Sequence, residues 1–146
     1  MKKPVTWYLM ADGGRARIVT REDSSMPYKL VFSEDSSEMH ARSRDLGSDR
    51  PGHSQESANS AHHAVEPRQD PHLAEEAKFV QTIASHVNRE GAQGSFDRLM
   101  IYAAPRVLSL LRKELDAPTL KKVHGEFSKD LTKVPVAELP AHFGRE

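Results

Sequence analysis

The sequence predicts a single layered α/β domain with a mixed five-stranded sheet, in the order β-β-β, long loop, α-β-α-β-α. Three observations predict it: a hairpin pattern at the start, a nearly continuous apolar run over residues 98–104, and helical spacing of apolar residues around that run. The hairpin is antiparallel, whereas the later crossovers are long enough for parallel strands. The 146 residues correspond to one domain, so we assign residues 1–146 to it.

The first thirty residues favour three strands. Residues 5–11 alternate in the manner of a strand, and Asp12-Gly13-Gly14 follows as a tight turn whose residues tolerate positive φ. Residues 15–21 form the predicted return strand, and its arginines Arg15, Arg17 and Arg21 are interpreted as a solvated face. The third strand is predicted over residues 27–33, with Tyr28, Leu30 and Phe32 on one side.

The clearest helix is predicted over residues 71–90, after Asp70 as N-cap and before Gly91 and Gly94. Spacings of three and four place one apolar stripe on it: Leu73, Ala77, Val80, Ile83, Ala84 and Val87.

The remaining elements follow residues 98–104, whose pattern is typical of a strand buried on both faces. Pro105 begins a helix that buries Val107, Leu108, Leu111 and Leu115, and Asp116 caps a shorter helical turn. A further strand is predicted over residues 123–129. A terminal helix over residues 135–143 is expected to bend at Pro140.

Composition excludes several classes of protein. The 21 basic and 21 acidic side chains cancel, so the whole surface is not a nucleic-acid footprint. Because the chain has no cysteine, disulfide scaffolds, thiolate zinc sites and thiol catalysis are excluded. No apolar run reaches the roughly 18 residues of a membrane span. We expect a cytoplasmic monomer without membrane contact or cofactor.

Residues 46–72 lack helical or strand periodicity and hold few large apolar side chains, which predicts a long flexible loop. Loops longer than about 15 residues in compact domains are usually functional or disordered. This segment is therefore the first candidate for binding. Its candidate residues are Arg50, Gly52, His53, Gln55, His62, His63, Arg68 and His72.

The densest polar cluster of the sequence overlaps this loop. Its members are His53, His62, His63, Glu66, Asp70, His72, Glu75 and Glu76. Imidazole and carboxylate ligands suit divalent ions, but the spacing matches no established zinc signature. We expect no metal site, and keep a divalent-metal-dependent hydrolase using His62, His63 and His72 as an alternative.

The C-terminal third carries a modest basic bias. Residues 98–133 hold eight Lys or Arg against four Asp or Glu, a balance of +4. Such a bias can form a weak RNA-facing patch if the residues converge in space. The candidates are Arg106, Arg112, Lys113, Lys121, Lys122 and Lys129.

Five motifs, in order along nearly the whole chain, resemble a known family. They are WYLMADGGRARI, DRPGHSQES, AHHAVEPRQDPHLAEEAKFV, IYAAPRVLSLLRKEL and KDLTKVPVAELPAHF. Together they resemble the bacterial family "protein required for attachment to host cells". That family is in turn similar to the middle domain of the eukaryotic and archaeal class I release factors, which implies an α/β domain with a central mixed sheet.

In release factors of that type, a Gly-Gly-Gln tripeptide in the loop before the long helix enters the peptidyl-transferase centre. The corresponding residues 50–55 read Arg-Pro-Gly-His-Ser-Gln, with a single glycine that does not directly precede the glutamine. Because the missing glycine pair would supply the backbone freedom for close approach, we expect no peptidyl-tRNA hydrolysis.

The combined interpretation is a non-catalytic binding or adaptor protein of the host-attachment family, whose His/Arg-rich loop meets an unidentified macromolecular partner. Because the sequence shows no export signal, we expect any role in attachment to be indirect. The main alternative is a translation-associated factor that docks on the ribosome or RNA through Arg50, Arg68 and the basic C-terminal residues, without hydrolysing peptidyl-tRNA.

Overall fold

The fold is described from a computed structural model, which covers residues 3–36 and 71–143. Its sheet has five strands, as predicted, in the order β3-β2-β1-β4-β5. The strands are β1 (Thr6–Ala11), β2 (Arg15–Thr20), β3 (Lys29–Asp35), β4 (Arg98–Ala103) and β5 (Val123–Phe127). Strands β1, β4 and β5 are parallel, and β2 runs antiparallel to both of its neighbours. The mixed α/β sheet is thus confirmed.

The helices of the described residues follow the predicted order. They are α1 (Pro71–Ala92), α2 (Pro105–Glu114), α3 (Ala117–Leu120) and α4 (Leu139–His142), with a 3-10 turn at Val136–Glu138. Pro105 lies in the first turn of α2, where its missing N–H costs no helical hydrogen bond. Asp116 caps α3 as expected, because its side chain accepts a hydrogen bond from Thr119 N. Within the described residues, no helix combines the length and apolar character needed to cross a membrane.

Strand β4 is the centre of the core. Its residues Leu99 to Ala103 are all buried, which confirms a strand covered on both faces. Leu99, Ile101 and Ala103 pack with α1 and α2, whereas Met100 and Tyr102 belong to a second cluster on the other face. The domain therefore has two cores separated by one sheet.

Helix α1 begins at Pro71 as predicted, but it differs from its prediction in its apolar stripe and at its C-terminal end. Leu73, assigned to the apolar stripe, is 43% exposed, and Phe79 is buried instead. The helix also passes through Gly91, which packs against Phe96, and continues to Ala92. The stop comes at Gly94, whose φ of +79° is the left-handed conformation that glycine adopts most readily.

Strand β3 also corrects its prediction, since Tyr28 and Phe32 do not share a face. The ladder shifts register between Ile18 and Val19, and these two residues pair with Phe32 and Leu30. This irregularity places one extra residue in β3 and reverses the alternation. Phe32 consequently packs against the first cluster, and Tyr28 lies in the second.

The second face of the sheet is covered by the C-terminal residues. Tyr8 stacks on Phe143 with ring centroids 4.6 Å apart, and Tyr102 lies 5.0 Å from the same ring. The terminal helix predicted over residues 135–143 is present in two parts, because a 3-10 turn over Val136–Glu138 leads directly into the short helix α4. Pro140 lies in the first turn of α4, where its missing N–H costs no helical hydrogen bond.

Replacing Ile101 with Asp is expected to prevent folding, because the carboxylate would lie unpaired inside the first core. The matched control Ile101→Val should fold and lose about 0.5 to 1.5 kcal/mol. Circular dichroism and thermal melting distinguish the two. A soluble Ile101→Asp protein that melts cooperatively would show that β4 is not central.

His86 on α1 is expected to make stability depend on pH. Its ring stacks on Phe32 with centroids 4.0 Å apart, and partial burial lowers its pKa. The unfolded chain, with an ordinary pKa of about 6.5, then binds the proton more readily, so the free energy of unfolding falls as the pH drops below about 6.5.

Urea unfolding between pH 8 and 5 tests this dependence. The variant His86→Leu should lose stability less steeply with falling pH than the parent protein. The control His142→Gln changes an exposed histidine and should follow the parent. Identical pH profiles for His86→Leu and the parent would contradict the assignment.

Candidate functional site

Most of the predicted binding residues lie outside the described residues. These are Arg50, Gly52, His53, Gln55, His62, His63 and Arg68. His72 is described, and it lies half-buried in the first turn of α1. The structure therefore defines the points between which the candidate segment runs, namely the end of β3 and the start of α1.

The end of β3 is fixed to the turn between β1 and β2. Ser36 N donates a hydrogen bond to Gly14 O at 2.8 Å. The Asp35 carboxylate lies 3.8 Å from Arg15 Nε. The turn itself is held by Asp12, whose Oδ1 accepts hydrogen bonds from Gly14 N at 2.8 Å and Arg15 N at 2.7 Å. These contacts place the end of β3 at the carboxyl end of the parallel strands.

The glycines of this turn do not need the positive φ that the sequence predicts. Gly94 is the one glycine of the described residues with positive φ, so neither Gly13 nor Gly14 uses that conformation. Gly13 is required for space, because a Cβ atom built there would overlap the Glu76 carboxylate of α1. The glycine thus permits the close approach of a helix side chain to the backbone.

Glu76 is the most deeply buried charged side chain at this end of the sheet, with 5% of its surface exposed. Arg106, at the start of α2, donates from Nε to Glu76 Oε1 at 2.7 Å and from Nη2 to Oε2 at 3.1 Å. This bidentate geometry is among the stronger arrangements of an ion pair. A single carboxylate therefore connects α1, α2 and the β1–β2 turn.

Asp12 makes a further contact with the C-terminal residues. The buried Thr132 hydroxyl lies 2.7 Å from Asp130 Oδ1 and 3.2 Å from Asp12 Oδ2. Asp130 Oδ1 also accepts from Thr132 N at 3.1 Å. The second face of the sheet is thus tied to the same turn.

Arg17 does not belong to a solvated strand face. Its Nη2 donates to Leu131 O and to Val134 O, each at 2.6 Å. Burial beneath this segment lowers the pKa of the guanidinium from its ordinary value. The sequence interpretation is wrong for this residue, because residues far along the chain cover it.

An open groove of about 520 Å³ lies between the end of β3 and α1. Its walls include Glu34, Asp35, Glu75 and Lys78, and Phe79 contributes to its lining. Three carboxylates against one lysine make this groove acidic. Within residues 3–36 and 71–143, no group of three or more His, Asp or Glu side chains is placed to hold a metal ion.

Comparison with protein families decides the relationship. The model of the family "Protein required for attachment to host cells" matches residues 7–143. The chain belongs to this family. The match includes the whole candidate segment of this host-attachment protein and, apart from Thr6 of β1, every strand and helix described above.

No curated protein matches the host-attachment chain. Among solved structures it is similar to "pCBH ParM non-polymerisable quadruple mutant", with 11% identity and a TM-score of 0.45. That alignment covers 98% of this chain and 48% of the other, so the chain spans about half the length of the structure it matches. The expected similarity to the release-factor middle domain stays a prediction.

Most of the six basic residues predicted to face RNA donate side-chain hydrogen bonds to other groups of the host-attachment domain. Arg106 pairs with Glu76, and Arg112 donates to Glu126 Oε1 from Nε at 2.8 Å. Lys122 Nζ donates to the carbonyls of Gly91 and Phe96, and Lys129 Nζ to His142 O. Lys113 and Lys121 are exposed.

Sequence reasoning named both Glu76 and Arg106 but did not connect them. Glu76 was assigned to the polar cluster and Arg106 to the RNA-facing set, and 30 positions separate them. The one local signal was the glycine pair after β1, which permits a close approach without naming its partner.

The substitution Gly13→Ala tests the close approach. The added Cβ should displace the Glu76 carboxylate and lower the free energy of unfolding by about 1 to 3 kcal/mol. In the Glu76→Ala background, where the overlap is gone, the same substitution should cost much less. Chemical denaturation of the four proteins measures both costs, and an equal cost in the two backgrounds would contradict the geometry.

Proposed function

We propose that this host-attachment protein is a non-catalytic binding protein whose residues 46–72 contact a macromolecular partner. One observation carries the proposal: both ends of the chain portion that holds these residues are tied to one turn. Ser36 is hydrogen-bonded to Gly14, and Glu76, less than two helical turns into α1, lies against Gly13. A rigid scaffold that presents a long connection is a common arrangement in binding proteins.

The chemistry of the candidate residues fits a partner with exposed acceptors. Arg50 and Arg68 offer planar forks of donors for carboxylate or phosphate groups, and the histidines add further ring nitrogens. His72, the described member of the set, lies at the base of the segment. The proposed partner is a macromolecule because the candidates are spread over more than twenty positions.

The non-catalytic assignment is supported by how the charged groups at the carboxyl end are used. Asp12 holds the turn, Glu76 binds Arg106 in a bidentate pair, and Arg17 binds two carbonyl groups. Each of these groups stabilises the fold in the position where α/β proteins commonly place ligands. The cytoplasmic location and the monomeric state belong to the same proposal.

Docking on the ribosome or RNA is a less favoured function. Four of its six basic C-terminal candidates have their donors directed to groups of the domain itself: Arg106, Arg112, Lys122 and Lys129. Its other candidates, Arg50 and Arg68, lie outside the described residues. Using them for phosphates would require breaking these contacts. The metal-dependent hydrolase depends on His62 and His63, which lie outside the described residues.

Quantitative affinity purification from native cells tests the proposal. The double variant Arg50→Ala/Arg68→Ala should recover at least tenfold less of one specific partner than the parent protein does. The matched control Lys113→Ala/Lys121→Ala removes the same charge from two exposed positions of the described domain and should retain that partner.

The purified partner should then bind the parent and the control with equal dissociation constants. A partner retained by the arginine variant would overturn the assignment of residues 46–72. Enrichment of ribosomes that is lost only in the lysine variant would overturn it in favour of ribosome docking.

A further inference from the structure

We propose that a cleft at the amino end of the sheet binds the phosphate group of a small phosphorylated ligand. Strands β1, β4 and β5 are parallel, so their first residues meet at this end. The cleft has a volume of about 530 Å³, within the range of small-molecule sites. Its lining includes Lys3, Val5, Gly94, Asp97, Arg98 and His124.

The backbone beneath the cleft is fixed by reciprocal hydrogen bonds. Val5 N donates to Asp97 Oδ2 at 2.8 Å, and Val5 O accepts from Asp97 N at 2.8 Å and from Arg98 N at 3.1 Å. The one carboxylate of the cleft therefore already holds a backbone donor. The backbone of Arg98 is therefore already ordered before a ligand binds.

Two permanent cations line the cleft outside the ion pairs of the described residues, and the charge of Lys3 also acts on the nearby Asp23 carboxylate. The ion pairs within residues 3–36 and 71–143 use other cations, and neither Lys3 nor Arg98 belongs to one of them. Lys122, two residues before His124, instead donates hydrogen bonds from its ammonium group to Gly91 O and Phe96 O. Lys3 and Arg98 thus supply the positive charge that a bound anion would neutralise.

His124 contributes a ring nitrogen to the lining of the cleft. Its Nδ1 lies 3.0 Å from Lys122 O, so this nitrogen carries a hydrogen and donates to the carbonyl. Because Nδ1 is committed, Nε2 is the ring nitrogen that remains for a ligand, and in this tautomer it accepts a hydrogen bond from a hydroxyl group. The carbonyl also accepts from Leu99 N at 2.8 Å, which fixes it to β4.

This combination favours phosphate over other anions. Lys3 precedes β1 and Arg98 begins β4, so donors from two neighbouring strands line the cleft, and His124 of β5 adds a ring nitrogen. A tetrahedral phosphate has three terminal oxygens to receive them, and the Arg98 fork matches two of these. The cleft is larger than a bare phosphate needs, so it has room for a ligand with an attached organic group.

The cleft lies at the opposite end of the sheet from the β1–β2 turn and the start of α1. Its proposal therefore stands independently of the binding role assigned to residues 46–72, and failure of either leaves the other unaffected.

Nuclear magnetic resonance titration of the full chain tests the proposal. Inorganic phosphate is added at constant ionic strength maintained with sodium chloride, and we expect saturable amide shifts at Gly94, Asp97 and Arg98. Adenosine monophosphate should bind more tightly than phosphate, whereas adenosine without phosphate should not bind. A short oligonucleotide distinguishes a polymeric phosphate source from a free ligand.

The variant Arg98→Ala should weaken binding of adenosine monophosphate at least tenfold, and Lys3→Ala should weaken it severalfold. The control Lys113→Ala, which removes an exposed charge from α2, should bind as the parent does. The amide spectrum of each variant shows whether the domain remains folded.

Three outcomes would overturn the proposal: no saturable shift with either phosphate ligand, equal binding of adenosine and its monophosphate, or equal weakening by Arg98→Ala and Lys113→Ala. Binding of the oligonucleotide alone, with equal loss in the control variant, would likewise replace a defined site by general attraction to polyanions.

Discussion

The contact on which the rest of the structure depends is the pairing of Glu76 with Arg106 beside Gly13. A carboxylate with 5% exposure costs free energy unless it is paired, and the bidentate guanidinium supplies that pairing. The contact brings together the second turn of α1, the first turn of α2 and the β1–β2 turn. It thereby fixes the start of α1 to the same turn that holds the end of β3 through Ser36.

The two faces of the sheet are covered by different means. On one face, α1 and α2 bury aliphatic side chains against β1 and β4. On the other, short C-terminal elements cover an aromatic cluster around Tyr102 and Phe143 and are tied down by Arg17 and Thr132. The aromatic rings offer large buried area from few residues, so a segment without a long helix suffices to close the second core.

The strands and helices could be predicted because their signals are local. The apolar run of β4, Pro105 at the start of α2 and the Asp116 cap each act over a few residues. The errors share a different cause, since the cover over Arg17 and the irregularity in β3 depend on partners elsewhere in the sheet. The candidate site was predictable as a polar segment, but the pairing of Glu76 with Arg106 was not, because nothing near either residue specifies the other.

The most direct test of this account is a double-mutant cycle between Glu76 and Arg106. The variants Glu76→Gln, Arg106→Gln and the double variant are compared with the parent by chemical denaturation. The account predicts that Arg106→Gln destabilises the parent more than it destabilises Glu76→Gln, with a coupling of about 1 kcal/mol or more. Additive effects, with a coupling near zero, would contradict the claim that this ion pair holds the carboxyl end of the sheet together.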